Sequence, residues 1–226
     1  MKASYFFILT IFIFSTFSCT SKKNSPEFIK KATGRYYFNA DEVIEVHFTD
    51  AKLLLNWRNQ NLNPLKLNDS TFYVREMNEK LIFNSVKNNI ELATKREHKG
   101  KKYVFNKMKE GEKTPSEYLT QNNYEMALNG YLNIKKTDSL NPVIKERNLN
   151  RLGYRYIRND DFDKAINVFK INTILYPNSS NTFDSLGDAY VRVKDTMNAI
   201  DNYKKALAIN PENRSSKRNL KKLTKK

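Results

Sequence analysis

Residues 146–213 read ERNLNRLGYRYIRNDDFDKAINVFKINTILYPNS (146–179) and then SNTFDSLGDAYVRVKDTMNAIDNYKKALAINPEN (180–213). The second stretch repeats the first at an offset of 34 residues. Among the apolar, aromatic, Gly and Pro positions, six are identical at that offset, and a seventh exchanges one aromatic residue for another. The seven are Leu152, Gly153, Tyr156, Ala165, Ile166, Phe169 and Pro177, which recur as Leu186, Gly187, Tyr190, Ala199, Ile200, Tyr203 and Pro211. One offset shared by seven positions indicates a duplicated structural unit.

Each unit predicts a pair of helices. In the first unit, Leu152 and Tyr156 are spaced as on one face of a helix, and the apolar residues after 161 follow the same rule. The segment 158–161 between the two runs is short and polar, so the helices must be antiparallel neighbours. Gly153 lacks bulk where the two helices would approach most closely. Pro177 ends the second helix, because it has no N–H to donate and disfavours helix in the residue before it.

These residues resemble the tetratricopeptide repeat, whose pattern has an aromatic residue, Leu-Gly, Tyr, Ala, an aromatic residue, Ala and Pro at these spacings. The first unit departs from that pattern at Leu149 and Asn172, and neither change breaks the helix pairing. The matching residues of the second unit are Phe183, Leu186, Gly187, Tyr190, Ala199, Tyr203, Ala206 and Pro211. The resemblance implies a helical solenoid.

We expect this solenoid to occupy residues 115–226. Residues 115–122 and 124–135 predict a shorter helix pair, which we interpret as a degenerate first repeat that acts as the N-terminal cap. Residues 214–226 predict a C-terminal capping helix, with Leu220 and Leu223 as its apolar anchors among Lys and Arg. Three stacked units are the usual minimum for a stable solenoid.

The N-terminus has the features of an export signal. Lys2 precedes a largely apolar run at 5–17, which is shorter than the roughly 20 apolar residues of a membrane span. The run ends at Ser18-Cys19, and Cys19 is the only cysteine in the chain. This arrangement resembles the lipobox of bacterial lipoproteins, which implies lipidation at Cys19 after removal of residues 1–18. An ordinary cleaved signal or an uncleaved anchor is the alternative. Residues 19–33 then predict a tether between the membrane and the folded part.

Residues 34–110 change to a period of two. Ile44, Val46 and Phe48 alternate with polar side chains, and similar runs around Phe72 and Phe83 are separated by turn sequences. About six to eight short antiparallel strands are expected. An open sheet would leave one apolar face in water, so we predict a small antiparallel β sandwich or half-barrel. The fold class is therefore α+β, with this β domain followed by an all-α tetratricopeptide-type helical solenoid.

The strand order of 34–110 resembles the C-terminal accessory region of bacterial class C β-lactamase-like serine hydrolases. Many secreted hydrolases of that kind also carry a repeat tail similar to residues 148–190. The resemblance implies an accessory or remnant region that acts with a separate catalytic subunit. No Ser-x-x-Lys motif follows residue 18 in this sequence, so we expect no catalytic residue in the chain itself.

The composition offers little for a metal, a cofactor or acid–base chemistry. The two histidines, His47 and His98, fall on a strand and in a charged turn, and both are expected to face solvent. The six glycines form no phosphate-binding loop. Asp160, Asp161 and Asp163 lie between helices, where Asp favours the start of the second helix. We therefore expect no metal site and no cofactor.

The first helix of each repeat is the expected binding surface. In tetratricopeptide proteins these helices line a concave groove for peptide segments, and the resemblance implies a corresponding groove here. Its arginines are suited to bidentate contacts with carboxylates, and its asparagines to contacts with a peptide backbone. The alternative is that the basic residues only solvate outer helix faces. The candidate lining residues are Arg147, Asn150, Arg151, Tyr154, Arg158, Asn181, Asp184, Asp188 and Arg192.

The net charge of +16 requires a partner of opposite sign. For an exported chain we expect a protein or peptide partner, a membrane contact through the lipid anchor, and an anionic lipid or surface polymer rather than nucleic acid. Two functions follow from the sequence. One is a non-catalytic envelope lipoprotein that holds a protein partner, and the other is the accessory half of a hydrolase.

Overall fold

The structure is a computed structural model that describes residues 23–225. The predicted signal peptide at 1–18 and the predicted lipidation site Cys19 lie outside the described residues. The described chain divides into two compact units. One comprises residues 23–33 and 46–103, and the other comprises residues 34–45 and 104–225.

Nine strands and eight α-helices make up the described residues. Short 3-10 helices at Arg96–His98 and Pro142–Ile144 complete the secondary structure of this part of the chain. The strands are β1 (Gly34–Asn39), β2 (Glu42–Thr49), β3 (Lys52–Trp57), β4 (Gln60–Leu62), β5 (Leu65–Lys66), β6 (Thr71–Val74), β7 (Glu79–Asn84), β8 (Asn89–Leu92) and β9 (Val104–Asn106). The helices are α1 (Pro26–Ala32), α2 (Pro115–Thr120), α3 (Tyr124–Thr137), α4 (Glu146–Arg158), α5 (Phe162–Leu175), α6 (Ser180–Arg192), α7 (Thr196–Ile209) and α8 (Arg214–Thr224). Antiparallel sheet followed by helices confirms the predicted α+β class.

The first unit consists of α1 and short antiparallel strands. The strands β2, β3 and β4 are consecutive neighbours, and β5, β6, β7 and β8 form a second series. In the second series Phe72 lies opposite Leu81, and Phe83 lies opposite Ile90. All four side chains are buried, which is the inward face predicted by the period of two.

Helix α1 occupies a segment that the sequence analysis assigned to the tether 19–33. Ser25 caps this helix by accepting a hydrogen bond from the Phe28 N–H at 3.2 Å. The Phe28 ring packs against three other rings, with centroid distances of 5.9 Å to Phe48, 5.7 Å to Phe72 and 5.5 Å to Phe83. Residues 26–32 are therefore part of the folded unit, because one aromatic side chain provides them with a core contact.

The two histidines differ in environment, contrary to the expectation that both face solvent. His47 is exposed on β2. The His98 side chain is only 8% exposed, and its Nε2 atom lies 3.0 Å from Glu79 Oε1. Its ring packs against Tyr103 at a centroid distance of 5.0 Å. Lys95 contacts the same Glu79 oxygen at 2.5 Å, and hydrogen bonds from the two partners keep the pKa of this carboxyl low against the opposing effect of burial.

The second unit combines the hairpin residues 34–45 and strand β9 with the helices. Asp41, in the turn after β1, accepts a hydrogen bond from the Ser116 N–H at 2.7 Å and another from the Tyr131 hydroxyl at 2.8 Å. Arg35 donates to the Glu112 carbonyl at 2.6 Å and pairs with the Glu117 carboxylate. These contacts join residues 34–45 to the helices of the same unit, and the boundaries of 34–110 and 115–226 stay a prediction.

The repeat helices follow the predicted pattern closely. The helices α4 and α5 form one pair, α6 and α7 form the next, and α8 packs on α7. A Cβ atom added to Gly153 would lie 2.5 Å from the Phe169 ring, and one added to Gly187 would lie 2.7 Å from the Tyr203 ring. The recurring glycine is thus the position where the aromatic residue of the second helix packs against the first.

Two features are absent from residues 23–225. Within that range no helix has both the length and the apolar composition needed to cross a bilayer. The same range contains no group of three or more His, Cys, Asp or Glu side chains placed to hold a metal ion.

Candidate functional site

An open groove of about 530 Å³ runs across α4, α6 and α8 in the second unit. These are the first helices of successive 34-residue units, since α4 and α6 begin the two repeats and α8 begins 34 residues after α6. The groove is lined by Tyr154, Ile157, Asp188, Val191, Arg192, Lys194, Tyr203, Asn219, Lys222 and Leu223. Its size lies within the range that small ligands and short side-chain clusters fill.

A hydrogen-bonded network centred on Asp188 forms the polar part of the groove. The Tyr154 hydroxyl donates to Asp188 Oδ2 at 2.8 Å, and the Tyr203 hydroxyl donates to Oδ1 at 2.7 Å. Asn219 Nδ2 adds a third hydrogen bond to Oδ1 at 3.1 Å. This carboxylate therefore joins side chains of α4, α7 and α8 to α6.

The two tyrosines of this network remain protonated donors. Burial, followed by the hydrogen bond to Asp188, raises the pKa of the Tyr203 hydroxyl. Burial is also the main cause that raises the pKa of Tyr154, and the negative charge of Asp188 adds to it. Because both phenols donate to one carboxylate, the hydrogen-bonding capacity of Asp188 is largely met within the protein.

Asp184 is held in a similar way one helical turn before Asp188. It is only 8% exposed and accepts a hydrogen bond from the Ser216 hydroxyl at 2.5 Å. Burial raises the pKa of its carboxyl. Ser216 is fully buried, so this contact lies in the packing between α6 and α8. The two acidic candidates of the sequence analysis are therefore engaged within the fold.

The other predicted lining residues divide into two kinds. Asn150 is half-buried on α4, and Asn181 donates from Nδ2 to Glu146 Oε1 at 2.9 Å. The arginines are exposed at the surface of α4 and α6. They are Arg147, Arg151, Arg158 and Arg192, of which Arg192 borders the groove directly.

The cations of the groove have no internal counter-charge. Arg192, Lys194 and Lys222 border it, and none of the three forms an ion pair with any residue in the range 23–225. The nearest acidic members of the network, Asp184 and Asp188, already accept hydrogen bonds from neutral donors. The groove therefore has a positive electrostatic potential that is available to a ligand.

Apolar side chains lie beside these cations. Ile157, Val191 and Leu223 contribute one residue from each of the three helices. Val191 is 40% exposed although it is a large hydrophobic residue. A ligand that fills the groove would cover this strip while its charged groups meet the basic residues.

Sequence reasoning located three of the ten groove residues, Tyr154, Asp188 and Arg192, and it missed the three on α8 because it treated that helix only as a cap. Extending the repeat spacing by one unit would have found part of it. Tyr154, Asp188 and Lys222 are each separated by 34 residues, and all three line the groove. Tyr203 lies on a second helix and is not located by the pattern of first helices. Asn219 and Leu223 could have been predicted if α8 had been recognised as equivalent to α4 and α6, the first helices of the two repeats.

Comparison with known proteins finds similarity in the helical repeats. Residues 181–213 match the family model for the tetratricopeptide repeat. A tetratricopeptide repeat domain-containing protein of Arabidopsis thaliana, the chloroplastic PYG7, is 34% identical over 65 residues. That alignment covers 29% of this chain and 22% of the relative, so the match spans about a fifth of the relative's length.

Solved structures of similar helical domains share limited identity with this chain. The first repeat domain of Spaghetti (RPAP3), bound to the HSP90 peptide SRMEEVD, is 18% identical, with 49% of this chain and 84% of that chain covered and a TM-score of 0.35. The second such domain of human RPAP3, in complex with the HSP70 peptide SGPTIEEVD, is 19% identical, with 50% and 90% covered and a TM-score of 0.35. The family-model match covers the second 34-residue unit from residue 181, and the first unit forms a helix pair of the same length.

Proposed function

We propose that this protein is a non-catalytic envelope lipoprotein that binds an acidic segment of a partner protein in the groove of α4, α6 and α8. The observation that carries the proposal is the row of unpaired cations, Arg192, Lys194 and Lys222, along a groove whose own carboxylates are satisfied. Arg151 and Arg158 extend the same positive charge along α4. Carboxylates of a partner would make charge-assisted hydrogen bonds to these groups.

The shape and lining of the groove favour a protein segment as the ligand. An extended segment that crosses three helices would meet both basic and apolar side chains. An apolar residue of the segment would contact Ile157, Val191 and Leu223, while flanking Asp or Glu side chains would meet the cations. Such a mixture of a few charged contacts with apolar burial is typical of specific peptide sites.

The ionisable groups of the groove support a binding role. Asp188 accepts three hydrogen bonds, and the pKa values of Tyr154 and Tyr203 are raised. A general base needs a proton acceptor that is free to reach its substrate. The network instead fixes the positions of four helices around the groove.

The proposed location rests on the sequence of residues 1–19. A charged start, an apolar run and Ser18-Cys19 together favour export and attachment at Cys19. Attachment to a membrane would hold the groove at the envelope, where it would keep the partner close to the surface.

The groove is tested with a pair of fluorescent peptides and fluorescence anisotropy. One peptide has Asp and Glu on both sides of a single Leu, and the other has Asn and Gln at the same positions. We expect the full-length chain in mild detergent to bind the acidic peptide more tightly, with an affinity that falls as salt is added. Equal affinity for both peptides would argue against an electrostatic groove.

A pair of variants localises that binding. Arg151→Glu with Arg158→Glu should weaken binding of the acidic peptide by about tenfold or more, because two attractive charges become repulsive. Lys204→Glu with Lys205→Glu makes the same change of net charge at exposed positions of α7 and should have little effect. If both double variants lose binding equally, net charge rather than the groove is responsible. Circular dichroism should show unchanged helix content in both.

A further inference from the structure

The outer side of α8 carries a concentration of positive charge, of which only Lys222, at its edge, also borders the groove. Six cations lie on this helix and on the residue that follows it, and all six are exposed. At about 100° per residue, they fall within about 140° of the helix circumference. We call this surface the basic face, and its members are Arg214, Lys217, Arg218, Lys221, Lys222 and Lys225.

The opposite side of α8 fixes the direction in which the basic face points. Ser216 is fully buried and donates to Asp184 at 2.5 Å. Asn219 donates to Asp188 at 3.1 Å, and Leu223 lies in the groove. These contacts with the rest of the repeats leave the helix little freedom to rotate, so the basic face is held towards solvent.

The charges of the basic face are largely uncompensated. Lys217 pairs with Glu212 at 3.3 Å, and it is the single member of the six with an ion pair to another residue in the range 23–225. The other five lie within about three helical turns and repel each other unless a counter-charge is present. An external anionic surface would relieve this repulsion and gain attraction at the same time.

We propose that the basic face docks α8 on an anionic lipid surface. The proposal rests on the membrane attachment described under the proposed function, and it assigns a second contact to the same membrane. Six cations on one side of a straight helix match a plane of lipid phosphates or carboxylates. Residues 214–225 contain no aromatic side chain on which nucleic-acid bases would stack, which favours lipid over nucleic acid.

The strength of the expected attraction follows from the charge count. Each Lys or Arg close to an anionic leaflet raises the membrane-binding constant by about fivefold. Removal of three cations should therefore weaken docking on the order of 100-fold. Arg218, Lys221 and Lys225 lie at the centre of the basic face and do not line the groove, so they are the appropriate residues to change.

The test uses the full-length chain with Cys19→Ser and Thr224→Cys, so that a fluorophore can be placed at the exposed position 224. The probes are vesicles of phosphatidylcholine, with or without about one third phosphatidylserine, that contain a nitroxide-labelled quencher lipid. We expect quenching of the label only in the anionic vesicles. Arg218→Gln, Lys221→Gln and Lys225→Gln together should reduce quenching to the level in neutral vesicles.

A matched control removes the same charge elsewhere. The control variant combines Lys136→Gln, Lys204→Gln and Lys205→Gln, all at exposed positions of α3 and α7. Its label should be quenched to the same extent as that of the parent. Fatty-acid labelling of the chain with Cys19 intact reports on the proposed membrane attachment separately, so failure of that attachment is distinguished from failure of the basic face. Absence of anion-dependent quenching, or equal quenching of both triple variants, would overturn the proposal. Tighter binding to short duplex DNA than to the anionic vesicles would overturn it in favour of nucleic acid.

Discussion

Single residues determine how closely the repeat helices approach. Gly187 packs directly against the Tyr203 ring, and Gly153 has the same relation to Phe169. The hydroxyl of Tyr203 then reaches Asp188, whereas Phe169 has no hydroxyl. Phe169 therefore contributes only to packing in the first repeat. Tyr203, at the equivalent position of the second repeat, contributes both to packing and to the polar network of the groove.

Replacing Gly187 with Ala should destabilise the protein by about 1–3 kcal/mol, because the added methyl overlaps the Tyr203 ring. Helix propensity alone would predict the opposite, a gain of about 1 kcal/mol. Urea unfolding of the variant and of Lys204→Ala, an exposed control on the neighbouring helix, measures the difference. A Gly187→Ala protein as stable as the parent would show that the helices are not in close contact there.

Asp41 makes the stability of the second unit depend on pH. Burial raises the pKa of its carboxyl to about 6, against the hydrogen bonds from Ser116, Tyr131 and Thr114. A pKa that is higher in the folded state means that the folded state binds the proton more tightly than the unfolded state. The stabilisation of the folded state by protonation of Asp41 is therefore complete at low pH and is lost as the pH rises through about 6.

The Asp41 contribution should increase stability by about 1 kcal/mol when the pH falls from about 7 to about 5. Carboxyls with lowered pKa values, such as Glu117, give the opposite slope, so the parent must be compared with Asp41→Asn. The variant cannot ionise at this position and should lack the Asp41 contribution. Identical pH profiles for the two proteins, measured by urea unfolding, would refute the assignment.

At the level of elements, α8 completes the groove in addition to ending the repeats. It supplies Asn219, Lys222 and Leu223 to the groove lining, and Ser216 fixes it to α6. The sequence predicted α4 to α7 well, because the pairing of neighbouring helices is set by local spacing. Contacts between distant residues were not predictable in this way. Phe28 with Phe83 and His98 with Glu79 are examples, and they account for the missed helix α1 and the buried histidine.

Replacing Ser216 with Ala should cost about 1–3 kcal/mol, because it leaves the buried Asp184 carboxylate without one of its donors. The Ser216→Ala change should also weaken binding of the acidic peptide, since α8 would no longer be held in place as a wall of the groove. Thr224→Ala, at an exposed position of the same helix, serves as the control. Loss of stability without any change in peptide affinity would mean that α8 is not needed for binding.

At the level of the whole molecule, the sequence and the structure account for different parts of the protein. The structure shows that residues 34–45 belong with the helices, a grouping that depends on Asp41 and Tyr131, which are 90 residues apart. Sequence pattern alone cannot reveal such a pairing. The resemblance of residues 34–110 to a hydrolase accessory region stays a prediction.

Membrane attachment of the whole protein is proposed to depend on Cys19. Cys19→Ala should abolish incorporation of labelled fatty acid in the producing cell, because Cys19 is the only thiol that a lipid can modify. Cys19→Ser should behave in the same way, since a hydroxyl does not replace the thiol. Undiminished lipid labelling of either variant would show that the chain is not a lipoprotein modified at this residue.

The most direct test of the central claim is the affinity of the acidic peptide for a chain in which the groove cations are neutral. We predict that Arg192→Gln, Lys194→Gln and Lys222→Gln together weaken binding by about 10-fold to 100-fold. The surface variant Lys136→Gln, Lys204→Gln and Lys205→Gln, which loses the same charge, should bind as the parent does. Unchanged affinity in the groove variant, or equal losses in the two, would contradict the account.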